Sequence, residues 1–233
     1  MSIISPLAQS LTPYVPGEQP RADVKWIKLN TNENPYPPSP AVFPAIEKAA
    51  AHLPLYPEPT SQIVRQAVAR RHGLCENQVF IGNGSDDVLA LCFPAFFQGQ
   101  GLAVRMPDIT YSFYQVYAAL FGVPVQICPL DAAFQMPIDA FCDGPCAGIL
   151  WTNPNAPTGI AVAPSVIERV LQAQPNCLVL VDEAYVEFGA QSVVGLIDRY
   201  PNLLVVRTLS KSHGLAGLRV GYAMGQPLSL IHI

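Results

Sequence analysis

The chain has 233 residues, half of them hydrophobic and 13% charged, with a formal net charge of −4. That composition supports a large core and excludes a disordered chain. With no basic run, neither nucleic acid nor an anionic membrane is indicated as a partner, and no apolar run reaches the roughly 20 residues that span a bilayer. Met1–Gly17 lacks the basic start and apolar stretch of a secretory signal. Six cysteines (Cys75, Cys92, Cys128, Cys142, Cys146 and Cys177) form no CxxC pair and meet no histidine at metal-finger spacing. They read as reduced thiols of a cytoplasmic protein, and no metal site is expected.

Residues 1–40 are rich in proline and asparagine, without periodicity, and read as an extended arm. A short helix is predicted over 41–52. A second is predicted over Ile63–His72, capped by Thr60 and Ser61 and stopped by Gly73 in a left-handed conformation. Short apolar runs then recur as buried strands: Val79–Ile81, Leu102–Arg105, Val123–Ile127, Gly148–Trp151, Leu178–Val181, Leu203–Arg207 and Gly221–Met224. Helical stretches lie between several of them: Ser85–Phe97, which Pro94 should kink or shorten, Ser112–Phe121 and Pro164–Ala173. Strands alternating with helices predict an α/β domain with a mainly parallel sheet and helices on both faces. The organisation expected is an arm over 1–40, a large domain over 41–224 and a truncated or non-native tail over 225–233.

Chemistry is concentrated at the ends of the predicted strands. After Leu203–Arg207 comes Thr208-Leu209-Ser210-Lys211, with Arg219 eight positions beyond the lysine. A strand end presents an amine rigidly, and hydroxyls with a guanidinium can hold a phosphate dianion. A lone Ser-Lys is ordinarily just a surface lysine, so the weight lies in the company it keeps. After Leu178–Val181 come Asp182 and Tyr185, at the carboxyl edge where open α/β sheets bind ligands. Gly82-Asn83-Gly84-Ser85-Asp86 joins a strand to a helix, a place for backbone amides to meet phosphate, although Ser85 and Asp86 also suit simple capping. Asn153-Pro154-Asn155-Ala156-Pro157-Thr158-Gly159 is a turn, and Tyr111 can lay an aromatic face over a flat ligand.

Taken in order, from about residue 11 to residue 224, these elements resemble fold-type-I pyridoxal-phosphate aminotransferases. Leu11-Thr12-Pro13-Tyr14-Val15-Pro16-Gly17, Leu29-Asn30-Thr31-Asn32-Glu33-Asn34-Pro35, Asp182-Glu183-Ala184-Tyr185-Val186-Glu187-Phe188 and Leu215-Ala216-Gly217-Leu218-Arg219 are similar to the histidinol-phosphate aminotransferases within that group. The resemblance implies pyridoxal 5'-phosphate as cofactor. It implies that Lys211 carries the cofactor and moves the proton, that Asp182 pairs with the pyridine nitrogen, and that Tyr185 bonds the ring oxygen. Tyr111 is implied to stack on the ring, while Gly84, Ser85, Asp86, Thr208, Ser210 and Arg219 hold the phosphate. Many relatives bond the ring oxygen through an asparagine where this chain has Ala156, and Asn155 is its expected substitute. The resemblance also implies Tyr14 and Asn32 as substrate contacts, and Tyr56 reaching the cofactor phosphate of the neighbouring subunit of a homodimer. The implied reaction is amino transfer between glutamate and imidazole-acetol phosphate, giving histidinol phosphate and 2-oxoglutarate in L-histidine biosynthesis. The alternatives are a threonine-phosphate decarboxylase-like lyase, a broad aromatic aminotransferase and an inactive truncated fragment. Since members of the family continue into a carboxy-terminal small domain, the chain as written is expected to be missing that domain and to have little or no activity of its own.

Overall fold

A computed structural model describes residues 3–11, 17–18, 23 and 27–230. Seven strands form one sheet: β1 (Val79–Asn83), β2 (Val104–Pro107), β3 (Val125–Cys128), β4 (Gly148–Thr152), β5 (Leu178–Asp182), β6 (Leu203–Thr208) and β7 (Val220–Gly225). Their order is β1-β7-β6-β5-β4-β2-β3. All neighbours are parallel except β7, which runs antiparallel to both β1 and β6. The mainly parallel α/β sheet expected from the sequence is therefore present, with each predicted strand shifted or extended by one to three residues.

The helices are α1 (Pro6–Ser10), α2 (Val42–Ala50), α3 (Gln62–His72), α4 (Ser85–Cys92), α5 (Phe113–Phe121), α6 (Ile138–Cys142), α7 (Pro164–Ala173) and α8 (Pro227–Leu230). Strand side chains alternate between two cores, because successive residues of a strand face opposite sides. In β4, β5 and β6, Ile149, Trp151, Val179, Val181, Leu203 and Val205 pack with α3, α6 and α7 on one side. On the other, Leu150, Leu180, Leu204 and Val206 pack with α4 and α5. Both faces are covered, so the strands read as unbroken apolar runs rather than alternating ones.

Three local expectations are corrected. Helix α3 has no side-chain cap from Ser61, whose φ is 53°. Glu58 caps it instead, its carboxylate accepting from Gln62 N at 2.7 Å and from the Thr60 hydroxyl at 2.7 Å. The predicted helix over Ser85–Phe97 is α-helical only to Cys92. The turn at Phe93–Phe97 is π-helical, which accommodates Pro94 by widening the ladder where the proline removes a donor. The amino-terminal arm also contains α1, whose Ser5 side chain accepts from Ala8 N at 3.2 Å, a capping contact absent from the arm reading. Among the described residues no helix is long and apolar enough to cross a membrane.

Candidate active site

Because β1 and β6 run the same way while β7 returns, four chain crossings meet at one rim. These are the ends of β1, β4, β5 and β6, with β7 starting beside them. Register places Thr152 opposite Asp182, Thr208 opposite Gly221, and Asn83 opposite Val220. A cleft of about 130 Å³ opens there. From the strand ends it receives Thr152, Asp182, Thr208, Ser210 and Lys211, and from the helix-side loops Ser85, Asp86, Tyr111, Tyr185 and Arg219.

Asp182 forms the floor of the cleft. It is 3% exposed, with Oδ1 accepting from Ala184 N at 3.0 Å and Oδ2 from the Tyr114 hydroxyl at 3.1 Å. Burial drives its carboxyl pKa up to about 6, against the pull of the Ala184 and Tyr114 hydrogen bonds. Among the described residues it has no ion-pair partner. A buried carboxylate held by two donors and lacking a cation is poised to receive an N–H bearing positive charge.

The lysine lines the same cleft. Lys211 Nζ lies 5.5 Å from the centre of the Tyr185 ring and donates to Thr31 O at 3.2 Å. Tyr185 in turn accepts from Asn32 Nδ2 at 3.0 Å, which leaves its own hydroxyl proton to donate. Asn34 Nδ2 donates to the carbonyls of Lys211 and Ser212 at 3.0 and 3.1 Å. Residues 31–34 are therefore tied to both the lysine loop and the tyrosine.

One end of the cleft is built for an anion. The β1–α4 turn bends at Gly84, φ 87°, and the Arg219 guanidinium occupies the space where a Gly84 side chain would start. Arg219 itself adopts φ 53°, uncommon for a residue with a side chain, and lies 3.7 Å from the Asp86 carboxylate. Asp86 also accepts from the Tyr111 hydroxyl at 2.7 Å, so it orients the aromatic wall rather than capping α4. The helix-start amides behind Gly84 and the hydroxyls of Thr208 and Ser210 complete a cradle of donors. Beneath this turn, a side chain on Gly221 would collide with the backbone of Gly84 and Ser85. Gly221→Ala is therefore expected to cost about 1–3 kcal/mol and weaken anion binding, read from urea unfolding and a phosphate titration. Gly217→Ala, which meets nothing nearby, serves as the neutral control.

The other expected site residues are placed differently. Asn155 is buried behind the rim. Its amide donates to Ile109 O at 2.9 Å and its oxygen accepts from the Thr152 hydroxyl at 2.8 Å, so the side chain is spent on the loop, and Thr152 and Ala156 face the cleft instead. Tyr56 is fully exposed and does not line the cleft of its own chain. Tyr14 lies outside the described residues. Tyr114, the hydroxyl beneath Asp182, was not foreseen. Its spacing of three from Tyr111, at the opening of a helix, was the available signal, since that spacing puts two side chains on one face.

Residues 24–232 match the model of the aminotransferase class I and II family. A histidinol-phosphate aminotransferase of Gluconacetobacter diazotrophicus is 54% identical over 224 residues, covering 96% of this chain and 62% of that protein. Histidinol-phosphate aminotransferase 2 of Dechloromonas aromatica is 52% identical over 225 residues, covering 95% and 63%. The crystal structure of histidinol-phosphate aminotransferase from Sinorhizobium meliloti in complex with pyridoxal-5'-phosphate superposes with a TM-score of 0.85 at 26% identity, covering 99% of this chain and 65% of that one. The chain thus spans less than two thirds of the length of these relatives.

Proposed function

The chain belongs to the class I and II aminotransferase family, and we propose that its cleft is the pyridoxal 5'-phosphate site of a histidinol-phosphate aminotransferase. The protein of which these residues form the site transfers an amino group between glutamate and imidazole-acetol phosphate. Residues 41–224 are assigned to the cofactor-binding domain. The observation that carries the reading is the convergence of Lys211, Asp182 and Tyr185 on one cleft with an anion cradle at its end. The relatives' names supply the substrate.

The donor set fits the cofactor. Asp182 supplies the buried anion that a protonated pyridine nitrogen needs. Ser85, Thr208, Ser210 and Arg219 supply donors for the phosphate. Bound there, the cofactor draws electrons from the substrate's α-carbon and so acidifies its proton. Lys211 Nζ is the amine placed to take such a proton and return it, and the Thr31 carbonyl and Tyr185 ring hold it at the cleft mouth. The Tyr185 hydroxyl, fixed by Asn32, is available to donate to an oxygen of the ring. Tyr111 closes one side of the cleft with an apolar face.

We place the reaction in the cytoplasm and in a homodimer. Support for the dimer comes from apolar side chains left in solvent on the amino-terminal segment, among them Ile27, Leu29, Leu53, Leu55 and Tyr56. The test is spectroscopic and kinetic. Pyridoxal phosphate should give an absorbance band near the visible edge that is lost in Lys211→Ala. In the full-length protein the same change should cut 2-oxoglutarate formation by roughly 10²–10⁴-fold. A band of equal strength in Lys211→Ala, or release of CO₂ in place of amino transfer, overturns the reading.

A further inference from the structure

Cys146 and Cys177 lie side by side at the end of the sheet opposite the cleft. Cys146 stands two residues before β4 and Cys177 directly before β5, and Gly148 pairs with Leu178, so adjacent parallel strands bring the two thiols to one level. Their sulfurs are 3.4 Å apart. Each residue is 6% exposed, and both line a surface depression of about 300 Å³ together with Cys142, Gly144 and Gln174.

Next to them is an unusual cation. Arg105 is 5% exposed, and its guanidinium donates to Gln126 Oε1 and to the carbonyls of Phe141, Gly144 and Pro145. Among the described residues no carboxylate lies within ion-pair distance of it. A buried cation without a counter-ion favours ionisation of an acid beside it. Its field reaches four thiols, those of Cys128, Cys142, Cys146 and Cys177. Only Cys146 is drawn down, chiefly by the hydrogen bond it shares with Cys177 and further by Arg105 and the Gly148 amide, against the opposing effect of burial. The Cys146 bond drives the Cys177 thiol up, as burial does for Cys128 and Cys142.

We infer that Cys146 and Cys177 form a thiol-modification site for small disulfides, with Cys146 as the attacking sulfur and Cys177 as the resolving one. The Cys146 thiolate attacks one sulfur of a low-molecular-weight disulfide. It forms a mixed disulfide and releases one small thiolate, which takes up a proton. The Cys177 thiol then loses its proton and attacks the Cys146 sulfur, releasing the second small thiol and closing a protein disulfide. Two protein thiols are oxidised and one small disulfide is reduced to two thiols, so no other oxidant is required. Closing the contact to a bond of about 2.05 Å is a short movement, since the sulfurs already touch. Because the pair joins the starts of β4 and β5, the oxidised form should resist unfolding better than the reduced form without obstructing the cleft.

The test exposes the purified chain to 2-hydroxyethyl disulfide near neutral pH, quenches with acid and maps peptides by mass under non-reducing conditions. A Cys146–Cys177 cross-linked peptide is expected. Cys177→Ser, whose hydroxyl can still donate to the Cys146 sulfur while Arg105 stays in place, should instead accumulate the mixed disulfide on Cys146, and faster than on Cys142. Cys146→Ser should leave Cys177 unmodified. Exposed Cys75 reports that the reagent is active, and Cys92, buried away from any such cation, reports that the fold is intact. Modification of Cys75 with no cross-link in the intact chain overturns the inference. So does labelling of Cys146 no faster than Cys142 in Cys177→Ser.

Discussion

Glu183→Ala should lower the free energy of unfolding by about 3–5 kcal/mol, a large part of the ~5–15 kcal/mol that a domain possesses. Glu183 is completely buried, and its carboxylate accepts at four points. Arg207 reaches Oε2 at 2.7 Å through one terminal nitrogen and at 2.9 Å through Nε, the Ser192 hydroxyl reaches Oε2 at 2.8 Å, and Val193 N reaches Oε1 at 2.7 Å. Removing it leaves Arg207, 7% exposed, with Glu187 at 3.0 Å as its only ionic partner among the described residues. The cost is that of a stranded buried charge, not of a lost surface pair. Replacing both partners, as Glu183→Leu with Arg207→Met, should cost much less than the two single changes added together. Since Glu183 follows Asp182 and Arg207 precedes Thr208, the single variant should also bind pyridoxal phosphate more weakly. Urea titrations check the first part, and a loss below about 1 kcal/mol in Glu183→Ala would show that the network carries little.

Asp182→Asn is expected to move stability and activity in opposite directions. Burial raises the Asp182 carboxyl to about 6 in the folded chain, against about 3.9 when unfolded. A raised acid favours the fold fully below the unfolded value and loses that contribution as pH rises through the folded one. In the cofactor-free chain at pH near 8, ionised Asp182 therefore costs about 3 kcal/mol. Asparagine keeps the size and a carbonyl for Ala184 N while removing the charge. The variant should unfold at higher urea than the parent at pH near 8, with the gap closing below pH about 4. In the full-length protein, transamination should fall by on the order of 10²–10³-fold, because the anion that stabilises a charged pyridine is gone. Equal stability of the two chains across that pH range would remove the electrostatic argument for Asp182, whatever the activity.

Much of this arrangement was legible before the fold was known, for a physical reason. Strands buried on both faces, such as β5 and β6, must be apolar throughout, and the polar residue that ends each run then marks the rim. Asp182 and Thr208 stand at just those positions. Direction and neighbourhood were not legible. Nothing in Gly221–Met224 says that this strand runs against the others, because side-chain alternation is the same either way. Glu183 and Arg207 gave no signal of their pairing, since each looks like a polar residue beside a more conspicuous one. The partners of Asn155 were not legible either. In the fold its amide serves Ile109, on a loop far away in sequence. Cys146 and Cys177 looked unrelated because parallel neighbours need not be close along the chain.

The insertion of β7 between β1 and β6 has a consequence for biosynthesis. Val79 pairs with Met224 and Asn83 with Val220, so the first strand made must wait for the last. At cellular rates of translation that interval is roughly 7–30 s. Throughout it the nascent chain carries Phe80 and Ile81 on an unpaired edge, and the half of the anion cradle at Gly84–Asp86 has no arginine beside it. The middle strands can pair behind the ribosome as they emerge, whereas this edge stays open to chaperones or to a neighbouring chain until Gly225 has cleared the exit tunnel.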